Sequence, residues 1–147
     1  TAEPGAATPT TDPPPRTART LAATDPASPY GAALGWPRLD DVSHRPGRKA
    51  GALVVLVDGA LVLYLERGGK TVLVFTDDED DLRAAAADLA ATARARRLET
   101  LTVEKANGVG LYERGADGPG TGARLSRLLQ EAGFVATPRG VTLRKAL

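Results

Sequence analysis

Apolar side chains are concentrated in one stretch of the chain, residues 51–76, GALVVLVDGALVLYLERGGKTVLVFT. Three apolar runs, 52–57, 60–65 and 71–75, are separated by Asp58-Gly59 and by Arg67-Gly68-Gly69-Lys70. Asp-Gly and Gly-Gly between β-branched runs signal tight hairpins, because primed turns need positive φ at their central residues. The pattern predicts a three-stranded antiparallel meander. A two-residue loop at Asp58-Gly59 sets Val57 opposite Ala60, Leu56 opposite Leu61, Val55 opposite Val62 and Val54 opposite Leu63. The second turn sets Leu65 opposite Val72 and Tyr64 opposite Leu73. Both faces of the middle strand are then apolar, so it needs cover on two sides, from the rest of the chain or from a neighbouring domain.

Downstream the period changes. Thr76 and Glu79 have capping-box spacing, and Asp77, Asp78, Asp80 and Asp81 sit where a helix N-terminus favours negative charge. Leu82, Ala86, Leu89 and Ala93 fall on one stripe, and Arg94, Arg96 and Arg97 suit a C-terminal end, predicting an amphipathic helix over 78–96. The four aspartates lack EF-hand spacing and its glycine, so they read as helix-start residues and not as a metal site. Residues 98–105, LETLTVEK, alternate and predict a fourth strand, with Asn107-Gly108 as a turn. The Gly-rich run to Gly122 lacks the Gly-Lys-Ser/Thr of a phosphate-binding P-loop and reads as a surface loop. Thr121 is placed to cap a helix with Leu125, Leu128, Leu129 and Ala132 buried, ended by Gly133. Residues 134–136 and 141–144 around Thr137-Pro138-Arg139-Gly140 predict a closing hairpin.

The first 29 residues are different. Seven prolines stand among Thr, Ala and Asp, with Leu21 the one large apolar side chain, so residues 1–29 read as a disordered linker. Residues 30–147 form the domain. Tyr30, Leu34 and Trp36, in YGAALGWP, read as a packing anchor in preference to a base-stacking platform, since no basic residue precedes Arg38. The fold class is α+β: a small antiparallel, barrel-like sheet made of the meander and later strands, with two covering helices.

Composition narrows the classes. Net charge is +1 and aromatic content 4%, so no global field argues for nucleic acid, and binding of that kind requires a local patch. The absence of cysteine excludes disulfides and thiolate chemistry. No apolar run is long enough to span a membrane. The chain starts at Thr1 and holds no methionine, which suggests a piece of a longer protein. His44 is the sole histidine and has no triad or ligand partners in sequence, so it reads as a surface residue.

Four segments in order, SPYGAALGWP, HRPGRKAGALVVLVDGALVLYLERGGKTVLVFT, RRLETLTVEKANG and LLQEAGFVATPRGVTLR, resemble the extreme C-terminus of the Lhr-type superfamily 2 DNA helicases. The resemblance runs from Ser28 to Arg144. It departs from the family at Gly35, where a proline is expected, and in the longer Gly-rich loop over 107–122. It implies a β-barrel-like module beside winged-helix domains, similar to the architecture of AlkZ-type DNA glycosylases, in a cytoplasmic, ATP-dependent parent enzyme acting in DNA repair. ATP and magnesium would belong to the parent's helicase core, and no cofactor, metal or catalytic residue of the family falls on this chain.

The leading expectation is therefore a noncatalytic accessory module that packs on neighbouring domains and contacts DNA backbone. Its candidate cations are Arg45, Arg48, Lys49, Arg67, Lys70, Arg139, Arg144 and Lys145. A second class is a protein-interaction or homo-oligomerisation module. A third is participation in base excision, with Asp58, Glu66 or Glu104 as candidate carboxylates.

Overall fold

The computed structural model describes residues 16–39, 45–96, 100–111 and 120–143. The meander forms as predicted, from β2 (Leu53–Val57), β3 (Ala60–Leu65) and β4 (Thr71–Val74). Asp58 and Gly59 take φ of 49° and 86°, the pair of positive angles that a primed turn requires. Helices α1 (Glu79–Ala95) and α2 (Thr121–Ala132) and the closing hairpin β8 (Val135–Ala136) and β9 (Val141–Leu143) also form, confirming the α+β class.

Three features of the topology differ from the expectation. Residues 18–22, placed in the disordered linker, form strand β1 (Ala18–Ala22), antiparallel to β2 along its whole length. Its buried Thr20 hydroxyl donates to the Asp88 carboxylate of α1 at 2.8 Å, so a segment too polar to fold by itself is held from the sheet and from the helix. Secondly, the predicted fourth strand divides. β5 (Leu101–Val103) pairs with β9, whereas β6 (Lys105–Ala106) pairs parallel to β4 and turns through Asn107-Gly108 into β7 (Val109–Gly110). The break falls at Glu104, where the amides of Glu104 and Lys105 both donate to the Lys70 carbonyl.

Thirdly, the sheet is not a barrel. Its strands run in the order β1-β2-β3-β4-β6-β7, and β5-β9-β8 form a separate three-stranded sheet. The last two strands of the larger sheet have two residues each, too little ladder to curl it round and join β7 to β1.

Within the meander the β2–β3 register is as expected at Val57 opposite Ala60 and Leu56 opposite Leu61, and then shifts. Val55 lies opposite Leu63 and Val54 opposite Tyr64, leaving Val62 as the extra residue of a β-bulge. The bulge changes the phase of β3. Val62, Leu63 and Leu65 join the core under the helices, and Leu61 and Tyr64 join the core on the opposite face.

The two cores are covered differently. α1 brings Leu82, Ala85, Ala86, Leu89, Ala90 and Ala93 onto the first face, the alanines permitting close approach, and α2 adds Leu125, Leu128 and Leu129. Asp78, and not Thr76, caps α1: its Oδ1 accepts from the amides of Asp80 (2.8 Å) and Asp81 (3.1 Å), while Thr76 accepts from the Asp78 amide. Gly120, and not Thr121, occupies the cap position of α2, and Gly133 ends that helix at a φ of 119°.

The second face is covered by the chain itself, through residues 23–39. Tyr30 is buried, and its hydroxyl accepts from the Leu61 amide at 3.0 Å and donates to the Gly59 carbonyl at 3.3 Å. Trp36 lies 6.1 Å from Tyr30 and 5.6 Å from Tyr64, edge-on to the latter at 78°. Leu34, named as the third anchor, points outward at 47% exposure, and only its backbone takes part, in the turn that carries Tyr30.

Candidate nucleic-acid interface

Strand register gathers several loops at one end of the larger sheet. Leu53 is opposite both Ala22 and Leu65, Leu65 is opposite Val72, and Thr71 is beside Lys105. The approach to β2, the turn Arg67–Gly69 and the β5–β6 junction therefore share that end. The β8–β9 turn joins them, because Gly140 sits against the backbone of Val103 and Glu104 with no room for a Cβ. Arg67, Lys70 and Arg139 are exposed there, together with Lys105, which the sequence reading did not select. Lys105 carried no signal in sequence, since only the parallel β4–β6 pairing brings it beside Thr71.

The remaining candidates behave differently. Arg48 is turned onto its own chain: Nη1 donates to the carbonyls of Ser28 (3.1 Å) and Tyr30 (2.9 Å), and Nη2 to those of Thr24 and Asp25 (both 3.1 Å). Lys49 is exposed but pairs with Glu66 at 3.0 Å, and that hydrogen bond raises its pKa above the ordinary lysine value. Its ammonium also donates to the Arg45 carbonyl at 3.3 Å. Arg144, Lys145 and His44 lie outside the described residues. Of the three carboxylates considered for base excision, Asp58 stands at the far end of the β2–β3 hairpin, where it accepts from the Thr17 amide, while Glu66 pairs with Lys49 and Glu104 lies at the β5–β6 junction. They do not converge.

Beside the cationic end, on the second face of the sheet, a cleft of about 280 Å³ is lined by Trp36, Pro37, Arg38, Leu39, Arg45, Pro46 and Leu73. A larger hollow of about 420 Å³, mostly apolar, opens at the sheet end between Ala22, the residues 50–53, Arg67, Gly68 and Leu101.

The acidic start of α1 is a local electrostatic device. Arg16 Nη1 lies 2.7 Å from both Asp78 and Asp81, and its hydrogen bond holds the Asp78 carboxyl below the usual 3.8, helped by the helix amides. Arg127 does the same for Glu79, below 4.5. Among the described residues no group of carboxylates or imidazoles could hold a metal ion. A depressed carboxylate adds stability above its unfolded pKa and loses it as pH falls through the folded one. Thermal stability should thus be level above about pH 5 and fall below about pH 4. Arg16→Ala should flatten part of that acid limb in thermal melts. Identical pH profiles for the two proteins would remove Arg16 from the account. The groups are exposed, so the effect should shrink at high salt.

No family model matches the chain. It is 54% identical over 124 residues, 84% of its length, to a protein of Mycolicibacterium smegmatis named "Lhr helicase/probable uracil glycosylase", of which it covers 8%. It is 38% identical over 123 residues, 82% of its length, to the "Lhr helicase/uracil glycosylase" of Escherichia coli, of which it covers 7%. The chain thus spans less than a tenth of the length of the curated relatives it matches. Identity of this degree, sustained over four fifths of the sequence, makes the chain a homologue of one short stretch of those long Lhr helicase/uracil glycosylase proteins.

Proposed function

We propose that this chain is a noncatalytic C-terminal accessory module of an Lhr-type ATP-dependent DNA helicase that acts in DNA repair in the cytoplasm. In this reading it packs on neighbouring winged-helix domains of its parent and touches the DNA backbone, while ATP and magnesium are bound by the helicase core elsewhere in the parent. The observation that carries the DNA contact is the gathering of Arg67, Lys70, Lys105 and Arg139, from three separate loops, at one end of the sheet. In a protein of net charge +1, a cluster of this kind supplies the local field that the overall composition lacks.

The test is fluorescence anisotropy of labelled duplex DNA with the 147-residue chain across a salt series. Three phosphate contacts give a log-log slope near −2.7, so affinity should fall about 40-fold between roughly 50 and 200 mM salt. Replacing Arg67, Lys70 and Arg139 by Ala should remove most of that slope. Binding that is absent at low salt, or that keeps its slope in the triple variant, overturns the reading.

A further inference from the structure

The cleft beside Trp36 carries chemistry that packing alone does not explain. Trp36 is held in a fixed pose by Tyr30, by the edge-on Tyr64 and by Gly31, where an added Cβ would stand 2.9 Å from the indole Cζ2 and Nε1. The part of the indole that is not packed looks into the cleft, whose floor is Leu73. Arg38 and Arg45, both exposed, line the same cleft, and Pro46 restricts the backbone of Arg45 before it. Neither guanidinium has an acidic partner among the described residues. Together they make the rim of the hollow cationic, a setting that favours an anionic ligand.

We infer that this cleft seats one unstacked base of single-stranded DNA against the Trp36 ring, with the flanking phosphates held by Arg38 and Arg45. A rigid indole beside two cations is the combination that binds single strands: the ring accepts any base by stacking, and the cations track the backbone. The location agrees, because Lys49 bonds both the Arg45 carbonyl and Glu66, the neighbour of Arg67, so the cleft adjoins the cationic end of the sheet. The inference rests on the DNA-contact reading above and deepens it, from backbone contact to the binding of a base.

Trp36 is the only tryptophan, so its emission reports on the cleft directly. On titration of the 147-residue chain with a short oligothymidylate, Trp36 emission should be quenched with the same midpoint as the anisotropy of the labelled oligonucleotide. An oligomer of equal length with abasic spacers should bind about 5-fold or more weakly, with no quenching, as expected for loss of one stacked base. Arg38→Ala with Arg45→Ala should weaken oligothymidylate binding about tenfold and lower the salt slope by about 1.4, two single-strand phosphate contacts. Their exposure leaves the unfolding midpoint unchanged. Binding without quenching, or equal affinity for the abasic oligomer, overturns the inference and leaves the phosphate reading standing. Quenching of equal strength by an acidic peptide would identify an acidic protein segment as the occupant and also overturn it. Absence of any anisotropy change, with single or double strands, overturns both.

Discussion

Arg48→Ala is expected to destabilise the chain by about 3 kcal/mol, a drop in melting temperature of roughly 10 °C for a protein of this size. The side chain donates to four carbonyls, of Thr24, Asp25, Ser28 and Tyr30, that belong to the segment lying over the second face of the sheet. Hydrogen bonds from a charged donor contribute about 1.5 to 3 kcal/mol each, but four bonds to one group are not additive and water can reach part of the loop, so the total is set near the value of one or two. The loss extends beyond the bonds. The Arg48 methylenes lie under Gly31, where a Cβ would come within 2.9 Å of Cγ, so truncation also removes the support of the turn that carries Tyr30. Arg48→Lys should recover less than half of the stability, because a compact ammonium does not reproduce the planar fork that serves two pairs of acceptors. Chemical denaturation measures both variants, and the emission of Trp36 should shift to the red in each as its surroundings loosen. A loss under about 1 kcal/mol for Arg48→Ala would mean that the apolar contacts of Tyr30 and Trp36 hold the segment without the clamp.

Tyr64→Ala is expected to cost more, about 3 to 5 kcal/mol, in the range of large-to-small changes at fully buried aromatic positions. Tyr64 has no solvent exposure and stands in the middle strand opposite Val54 on one side and Leu73 on the other. Its ring supports Trp36 at 5.6 Å, and its hydroxyl donates to the Gly47 carbonyl at 3.0 Å, tying the approach loop to the sheet. Burial raises the phenol pKa, so the hydroxyl stays a donor throughout the neutral range. The variant leaves a cavity on the second face, between the sheet and Trp36, and strands that pair on both sides cannot shift to fill it. Tyr64→Phe keeps the ring and loses the hydrogen bond, and should cost about 1 kcal/mol, leaving a carbonyl that water can reach beside an exposed loop. Equal losses in the two variants would show that the hydroxyl, and not the ring, supports this face.

Both predictions concern the cover of the second face, and that face shows how far the sequence could be read. The need for cover was legible, because β3 is apolar at every position from Leu61 to Leu65 and a strand of that kind is not stable with one face in water. The identity of the cover was partly legible: the Tyr and Trp of residues 30–37 announced an anchor, but Leu34 shares their spacing and points outward. Arg48 was read as a cation for phosphate, since the sequence around it, HRPGRK, is basic and gives no sign of carbonyls some twenty residues upstream. The candidate interface was affected in the same way. Arg67, Lys70 and Arg139 were selected as cations near turns, but whether they shared a side depended on a parallel β4–β6 pairing and on a glycine packed against the β5–β6 junction. Arg38 and Arg45 were seen one by one, and the cleft they form with Trp36 exists only in three dimensions.

The sequence by itself determined the turns, the helices and the class. Asp58-Gly59 and Asn107-Gly108 must turn because their backbones take positive φ at little cost, α1 must start among aspartates that meet free helix amides, and α2 must stop at Gly133. These are local effects, settled within a few residues. Tertiary structure alone decided the phase of β3, the use of residues 18–22 as an edge strand and the open, divided sheet. An all-apolar strand buries oily side chains in either phase, so its pattern holds no information about register, and packing against α1 on one side and Tyr30 and Trp36 on the other selects the bulge. A short polar strand such as β1 has too little apolar surface to offset its own ordering, and forms because β2 and Asp88 of α1 supply partners for it.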